Sequence, residues 1–317
     1  MAGTVPEETC GVLNNSDIDT LPGMRWTDRL IKEQHGRDAP TVAALLAPHS
    51  ALATCVRAYV TRSTMGATLG AVDRLNHFPA TPTCAITWFI RGDYAHIDQG
   101  SGLITSNLPR PVMFTGPHTQ PTVSTNPGEM EAFIVLMLPD ALHALTGLDI
   151  AAQVDRYRDP ADVLDADWVS MTNAVLHAAD NTQRIQIIED FLLPKWQSLG
   201  QTTTPDTAFQ RWAHGVKDRA AMHAQGRSER QIDRRIKDWT GLPIRQLRGM
   251  GRAESTLLQA RDALSADELK WADIAATMGF SDQAHLSREF RRITGLSPRT
   301  LKERLTQESY WMYQIWT

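Results

Sequence analysis

The sequence predicts an α+β protein: a small antiparallel β-sheet or barrel with appended helices, followed by an all-α region with two helix-turn-helix units. Three observations support this fold class. Short apolar runs separated by Pro, Gly, Asn and Asp fill the first half, apolar residues at helical spacing follow, and a stretch near the C-terminus recurs 54 residues later. A chain of 317 residues is also long enough for two domains.

The first half contains five predicted strands. Each is a short run rich in β-branched or other apolar residues, bounded by turn-forming residues. The runs are Cys55 to Ser63, Thr83 to Ile90, Ala95 to Ile97, Pro111 to Thr115 and Met130 to Leu138. The first forty residues show little periodicity, and we expect residues 1–48 to form a partly flexible extension.

Three helices are predicted after the last strand. The first, Asp140 to Leu145, is short and is followed by Gly147 as a stop, whereas Asp165 to Ala178 and Asn181 to Trp196 carry apolar residues three and four apart. The small polar residues 200–206 predict a linker. The strands and these helices together are expected to form one domain, residues 49–199.

The C-terminal part contains an internal repeat. SERQIDRRIKDWTGLPIRQL (Ser228 to Leu247) aligns with DQAHLSREFRRITGLSPRTL (Asp282 to Leu301). Apolar pairs such as Ile232/Leu286 hold the spacing of a buried helix face. The identical pairs are Arg234/Arg288, Thr240/Thr294, Gly241/Gly295, Leu242/Leu296, Arg245/Arg299 and Leu247/Leu301.

Both copies are predicted to be helices with defined ends. Ser228 and Gln231 have capping-box spacing, Asp282 occupies the equivalent capping position in the second copy, and Gly241 and Gly295 are suited to end the helices. Each helix has one apolar stripe and an opposite polar face that includes arginines.

A further helix is predicted ahead of the second copy, in SADELKWADIAATMGF. Ser265 and Glu268 form another capping box, and Gly279 ends the segment. The expected apolar face consists of Trp271, Ile274 and Met278. A helix, a glycine turn and an amphipathic helix with a polar N-terminal half are typical of a helix-turn-helix, whose second helix enters the DNA major groove.

Residues of this second unit match a known signature. They are Ile274-Ala275, Gly279-Phe280, Asp282, His285-Leu286-Ser287-Arg288, Phe290, Gly295 and Ser297-Pro298. In them, and over about the last hundred residues, the chain resembles the AraC/XylS family of transcriptional regulators. The resemblance implies that residues 207–305 form a DNA-binding domain with two units joined by a long helix, here Arg245 to Leu264, and that 306–317 are a C-terminal tail.

The resemblance also implies which helices and residues contact DNA. Helices 228–240 and 282–294 would enter two successive major grooves, about 34 Å apart. The implied base-facing residues are Gln283, Ala284, His285, Ser287 and Arg288 in the second copy, and Arg230, Gln231, Asp233 and Arg234 in the first. The implied phosphate contacts are Lys237, Arg291, Arg292 and Arg299.

The first copy departs from the family pattern. AAMHAQGR stands upstream of it where a more apolar helix is usual, and the acidic residues Glu229 and Asp233 lie on its reading face. We therefore predict that the second unit contributes more sequence specificity than the first.

The N-terminal half more loosely resembles the N-terminal domain of one AraC-like subgroup. The resemblance rests on TGPHTQPTVSTNPGEMEAFIVLMLPDALHALTG (Thr115 to Gly147) and on Gln183-Arg184. It implies a cupin-like barrel that senses a small-molecule effector or mediates homodimerisation. Polar-tipped or aromatic residues on apolar runs are the candidate pocket: Trp88, Arg91, Tyr94, Phe114 and His118.

Composition narrows the function classes. Residues 206–305 hold 19 Lys and Arg against 13 Asp and Glu, a balance of +6, whereas the rest of the chain holds 13 against 23, a balance of -10. The basic C-terminal part suits double-stranded DNA as a partner, and the family resemblance adds RNA polymerase. No signal peptide, membrane span or HxH metal pattern is evident, so we expect a cytoplasmic protein without cofactor or metal.

Two alternatives stay open at this point. One is an enzyme fused to an AraC-like module, as in alkylation-repair regulators. That chemistry needs an activated cysteine and often four zinc-binding cysteines, whereas Cys10, Cys55 and Cys84 are scattered, and no GxSxG, P-loop or GxGxxG motif is present. The other is a binding protein whose C-terminal helices form a protein-protein bundle.

Overall fold

The fold is described from a computed structural model that covers residues 29–36, 40–97, 104–105, 109, 111–200, 209–222, 228–264 and 271–316. Within these residues the N-terminal part consists mainly of antiparallel strands with helices after them, and the C-terminal part consists of helices. The predicted α+β class is therefore confirmed.

The strands of the described residues form two antiparallel sheets. They are β1 (Leu30–His35), β2 (Val42–Leu46), β3 (Val56–Ser63), β4 (Leu75–Phe78), β5 (Cys84–Arg91), β6 (Ala95–Ile97), β7 (Ile104–Thr105), β8 (Val112–Thr115), β9 (Thr122–Thr125), β10 (Glu131–Met137) and β11 (Tyr157–Arg158). The first sheet has the order β1-β2-β3-β10-β5-β8-β11, and the second has the order β4-β9-β6-β7. All five strands predicted from sequence are present, as β3, β5, β6, β8 and β10.

The helices of the described residues follow the strands. They are α1 (Pro139–Thr146), α2 (Pro160–Val163), α3 (Ala166–Leu176), α4 (Asn181–Ser198), α5 (Phe209–Met222), α6 (Glu229–Thr240), α7 (Ile244–Leu264), α8 (Trp271–Thr277), α9 (Gln283–Thr294), α10 (Pro298–Arg304) and α11 (Trp311–Trp316). The predicted stop of α1 is confirmed, because Gly147 has the left-handed φ of 71° that favours glycine. Asp165 and Asp180 cap α3 and α4 by accepting hydrogen bonds from backbone N–H groups.

The two faces of the central strand β10 pack against different neighbours, because successive strand residues point to opposite sides. One face belongs to the main apolar core, with helices α3 and α4, and consists of Phe133, Val135 and Met137. The other face lines a cavity and consists of Ala132, Ile134 and Leu136. The first sheet is thus covered on one side by helices and borders a cavity on the other.

The main core extends from the strand-rich part into the helical part. Ile236 of α6 and Leu247 of α7 are fully buried in the same cluster as the sheet residues. Polar contacts support this junction, since Trp212 Nε1 donates a hydrogen bond of 2.9 Å to Asp140 Oδ1 and Arg219 forms an ion pair with the same carboxylate. The two parts of the chain are therefore packed together.

A buried ion pair ties the start of β1 to helix α4. Arg29 donates two hydrogen bonds, of 2.6 and 2.7 Å, to the carboxylate of Glu189. The same carboxylate accepts hydrogen bonds from the backbone N–H of His49 at 2.7 Å and from the Tyr59 hydroxyl at 3.3 Å. Burial raises the pKa of the Tyr59 hydroxyl well above its usual value, with Glu189 as a second cause. The hydroxyl therefore remains a donor at neutral pH.

Part of the predicted N-terminal extension is ordered sheet. Two of its segments, Leu30–His35 and Val42–Leu46, form β1 and β2, which pair with each other and, through β2, with β3. The extension of the sequence analysis is corrected for these residues, whereas residues 1–28 lie outside the described part. The predicted linker also lies outside it, except for Gly200.

The predicted C-terminal tail packs against the first sheet. We call residues 308–316 the C-terminal segment; it comprises a 3-10 turn, Glu308–Tyr310, and helix α11. Glu308 accepts a hydrogen bond of 2.5 Å from Arg62, and Trp311 Nε1 donates one of 2.7 Å to Asn76 Oδ1. The segment is thus anchored to both sheets. No helix among the described residues is long and apolar enough to cross a membrane.

Candidate nucleic-acid interface

Helix α6, the first repeat copy, has the ends that the sequence predicts. The backbone N–H of Ser228 donates a hydrogen bond of 3.0 Å to Gln231 Oε1, as part of a capping box. At the other end Gly241 has a φ of 75° and donates its N–H to the carbonyl of Lys237.

Helix α9, the second copy, is built in the same way. Asp282 Oδ1 accepts a hydrogen bond of 2.6 Å from the backbone N–H of His285, and Gly295 ends the helix with a φ of 76°. This N–H bond, with help from the Ser281 hydroxyl and the charge of Arg288, holds the pKa of Asp282 below its usual value. The capping carboxylate is therefore ionised at neutral pH and complements the positive end of the helix dipole.

The threonines before the two glycines show that the repeat is structural. The Thr240 hydroxyl donates to the carbonyl of Ile236 at 2.7 Å and lies 3.0 Å from that of Leu242. The Thr294 hydroxyl does the same with Phe290, at 2.9 Å, and with Leu296, at 3.0 Å. The two threonines thus make the same hydrogen bonds at the C-terminal ends of α6 and α9.

The buried stripe of α9 fixes which side of the helix is left exposed. Leu286 packs with Ala275 of α8 and with Phe280, and Phe290 packs against Leu301 of α10. Gly279 has a φ of 73°, as the tight turn between α8 and α9 requires. The side chains of Trp271 and Ile274 and the predicted capping pair Ser265 and Glu268 lie outside the described residues.

Most residues with a predicted base contact are exposed. The exposed ones are Arg230, Gln231, Asp233, Arg234, Gln283, Ala284 and Arg288. His285 and Ser287 are half-buried, and the His285 ring contacts Phe280 edge to face, with Nδ1 3.2 Å from Ser281 Oγ. Gln231 uses one lone pair of its carbonyl oxygen in the capping box, which restrains the orientation in which its amide can meet another partner.

The residues with a predicted phosphate contact fall into two groups. Lys237, Arg291 and Arg299 are exposed, although Arg299 Nε lies 3.2 Å from Glu303 Oε1. Arg292 is half-buried and pairs with Glu289 at 3.0 Å. Both partners of this pair approach Gly249 of α7, where a Cβ atom would lie within 2.8 Å of each. Arg292 therefore braces α9 against the connecting helix.

The N-terminal part of the protein holds the C-terminal corners of both repeat helices. The backbone N–H of Ala80 donates a hydrogen bond of 2.8 Å to the carbonyl of Ile293 in α9. At Gly241, after α6, an added Cβ would lie 2.8 Å from Val154 Cγ2 and 3.1 Å from the carbonyl oxygen of Ile150. These contacts leave the polar N-terminal halves of α6 and α9 exposed.

A cavity of about 210 Å³ lies where the sheets meet the helical part and the C-terminal segment. Of the five predicted pocket residues, Tyr94 and His118 line it. Trp88 and Phe114 are fully buried on the opposite face of the first sheet, where Trp88 Nε1 donates a hydrogen bond to the carbonyl of Thr172, and Arg91 is exposed. The structure therefore brings two of the five together.

The cavity also has walls that the sequence analysis did not foresee. They come from the linking helix α7, from α9 and from the C-terminal segment, and include Met250, Glu254, Leu257, Ile293, Trp311, Met312 and Trp316. The residues of the C-terminal segment did have a sequence signal, because aromatic and apolar residues recur at helical spacing in YWMYQIW. The residues against which this segment packs lie far away in the chain, so its position could not be predicted.

The described cysteines lack the features of a reactive thiol. Cys55 and Cys84 are buried, and burial, with the Asp140 carboxylate as a second cause, raises both thiol pKa values far above the usual range. Such thiols stay protonated and are poor nucleophiles. No cluster of three or more His, Cys, Asp or Glu side chains suited to a metal ion occurs in the described part of the chain.

Comparison with known proteins identifies the type of the C-terminal domain. Residues 222–304 match the family model of a helix-turn-helix domain, the region in which the sequence resembles AraC/XylS regulators. No curated protein matches the chain.

Several solved structures are also similar. An apo variant of ToxT from Vibrio cholerae is 14% identical, with 72% of this chain and 96% of that chain covered and a TM-score of 0.34. ToxT from the same species bound to an unsaturated fatty acid is 13% identical, with 72% and 94% covered and a TM-score of 0.32. The AraC-like transcriptional activator CuxR is 12% identical, with 94% and 89% covered and a TM-score of 0.24.

Proposed function

We propose that this chain, which carries an AraC-type helix-turn-helix domain at residues 222–304, reads two successive major grooves of DNA and responds to a small-molecule effector. The domain type makes it a DNA-binding transcriptional regulator. The duplicated helix supports the proposal that two grooves are read. Helices α6 and α9 share their N-caps, their C-terminal glycines and a buried stripe, and both expose a polar N-terminal half.

The exposed chemistry of α9 suits base recognition. Arg288 can form two parallel hydrogen bonds with guanine O6 and N7, and Gln283 can pair in the same bidentate way with adenine. Arg291, one turn beyond Arg288, is exposed and suits a phosphate contact. Helix α6 presents Asp233 beside its arginines, and its Gln231 is partly committed to the cap. These differences support the prediction that the second unit contributes more sequence specificity than the first.

The response to an effector is supported by the way in which the two parts are joined. Backbone atoms of the N-terminal part contact the corners after both repeat helices, at Ile293 and Gly241. A change in the N-terminal part would therefore act on both helices through direct contacts.

The alternative of a fused repair enzyme with a methyl-accepting thiol finds no support in Cys55 or Cys84. Both thiols are buried beside an acidic residue, an environment that opposes thiolate formation.

The proposal can be tested by selecting a binding sequence from random duplex DNA and measuring its affinity by fluorescence anisotropy at several salt concentrations. We expect affinity to fall steeply with salt, as for any protein that displaces counterions. Arg288→Ala should weaken binding to the selected sequence by roughly 5- to 150-fold, which corresponds to about 1–3 kcal/mol for a bidentate base contact. Arg234→Ala should have a smaller effect.

Arg158→Ala is the matched control, because it removes an exposed arginine from the N-terminal part and should leave the affinity unchanged. Failure of the wild-type protein to retain duplex DNA at low salt would overturn the proposal. A larger loss from Arg234→Ala than from Arg288→Ala would refute only the order of the two units.

A further inference from the structure

The cavity has a mainly apolar wall formed by inward-facing residues of both sheets and by the C-terminal segment. Phe89 and Met113 contribute from the first sheet, and Trp311 and Met312 contribute from the segment. A dry cavity of about 150 Å³ is enough for benzene. The present volume of about 210 Å³ therefore suits a ligand with one substituted ring or a short aliphatic body.

One polar side chain in this wall has no hydrogen-bond partner. His118 is buried to more than nine-tenths, and neither of its ring nitrogens makes a hydrogen bond with any residue that the structure describes. Its ring meets that of Tyr157 edge to face, and Nδ1 lies 3.6 Å from Asp155 Oδ1. Buried polar groups are nearly always paired, so an unpaired imidazole in the wall of a cavity indicates a missing partner.

The charged groups around the cavity are already paired with one another. Arg57 pairs with Glu254 at 2.7 Å, and Arg62 pairs with Glu308 at 2.5 Å. Among the described residues, the charge in contact with His118 is the carboxylate of Asp155, which opposes a second anion there. Arg57, Arg62 and Glu254 of the described lining therefore each have a partner of opposite charge, and an uncharged ligand fits better than a carboxylate.

We propose that the cavity binds an uncharged, mainly apolar small molecule that carries one hydrogen-bonding oxygen, and that His118 pairs with this oxygen. This inference rests on the proposed effector response and names its ligand class. The ligand would contact both parts of the protein at once, because Met250 and Leu257 of α7 and Ile293 of α9 line the same space. It would thus bear directly on the helix that connects the two DNA-binding units.

Isothermal titration calorimetry with three probes of similar shape tests the ligand class on the full chain without DNA. The probes are 4-propylphenol, propylbenzene and 4-propylbenzoate, each with about ten non-hydrogen atoms, which suits the cavity. We expect 4-propylphenol to bind roughly fivefold more tightly than propylbenzene, as one net hydrogen bond provides, and 4-propylbenzoate to bind most weakly. No measurable binding of 4-propylphenol, or tighter binding of the benzoate, would overturn the inference.

Variants then locate the site. His118→Leu should remove the preference for 4-propylphenol over propylbenzene, whereas His177→Leu, which changes an exposed histidine outside the cavity, should retain it. Ala132→Phe should fill the cavity and abolish binding of both neutral probes, and Ala85→Phe serves the same purpose if the first variant does not fold. Persistent binding in a folded, filled variant would place the probes elsewhere and refute the site.

The same samples separate this inference from the proposed function. DNA affinity is measured by anisotropy with and without saturating 4-propylphenol. A change in affinity that His118→Leu cancels supports the inference and the effector response together. If the protein binds the probe but not DNA, the proposed function is refuted and the ligand class stands. If it binds DNA but not the probe, the ligand class is refuted and DNA binding stands.

Discussion

Replacement of Gly241 by alanine tests the contact between helix α6 and the N-terminal part. Gly241 has a left-handed φ of 75°, which costs a residue with a Cβ atom about 1–2 kcal/mol. The new Cβ would also lie 2.8 Å from Val154 Cγ2 and 3.1 Å from the Ile150 carbonyl oxygen. Such overpacking typically costs about 1–3 kcal/mol more, so we expect a total of about 2–5 kcal/mol.

Gly279→Ala is the matched control. Gly279 has nearly the same φ, 73°, but no atom of the described residues would lie within 4 Å of an added Cβ. It should therefore show only the backbone cost of about 1–2 kcal/mol. The difference between the two variants isolates the contact between the parts of the protein.

Urea denaturation measures both free energies of unfolding, and amide hydrogen exchange at residues 150–154 reports whether the contact opens locally. In Gly241→Ala, a second substitution, Val154→Ala, should restore part of the loss, because it removes the atom nearest to the new Cβ. Equal losses in Gly241→Ala and Gly279→Ala, with unchanged exchange at residues 150–154, would show that the contact contributes nothing in solution and would refute the reasoning.

Two further predictions concern charged groups in the N-terminal part. Arg29→Leu should lower the free energy of unfolding by about 3–5 kcal/mol, because it leaves the carboxylate of Glu189 buried without its cation. Adding Glu189→Leu should recover only part of this loss, because the backbone N–H of His49 and the Tyr59 hydroxyl then lose their acceptor. Equal losses from the single and double variants in urea denaturation would contradict this prediction. Partial burial opposes ionisation of Asp155, but the nearby His118 ring, 3.6 Å away, and the N–H and O–H donors of Thr119 outweigh it and lower the pKa to about 2. Because this pKa is lower than that of an unfolded Asp, the ionised Asp155 stabilises the folded state above pH 3.8, and this stabilisation is lost as the pH falls towards about 2. Asp155→Asn should therefore make the free energy of unfolding less dependent on pH between about 4 and 2. An unchanged pH dependence would argue against the contacts of Asp155 with Thr119 and His118.

The features predicted correctly from sequence depend on local chemistry. Helix caps, glycine corners and the spacing of buried residues in α6 and α9 involve residues within a few positions of one another, so the repeat was sufficient to identify them. The strand β10 was equally evident, since it is apolar along almost its whole length.

The features missed from sequence depend on distant partners. Trp88 and its neighbours Thr87 and Phe89 are all buried, so the pattern of β5 could not show which side faces the cavity. The structure settles this, because Trp88 packs towards α3 and its neighbours line the cavity. Strands such as β4 and β9 are short and partly polar, and they form only by pairing across the second sheet.

From the position of the C-terminal segment we predict that the proposed ligand acts mainly on the second helix-turn-helix unit. This segment follows that unit in the chain and returns to the first sheet, where Arg62 pairs with Glu308 and lies over the ring of Trp311. The second unit is therefore held to the sheets on both sides of α10, by Ile293 before it and by the segment after it. Both contacts border the cavity. A ligand that displaces Trp311 or Ile293 would thus loosen α9, whereas α6 is held by Ile150 and Val154, which do not line the cavity.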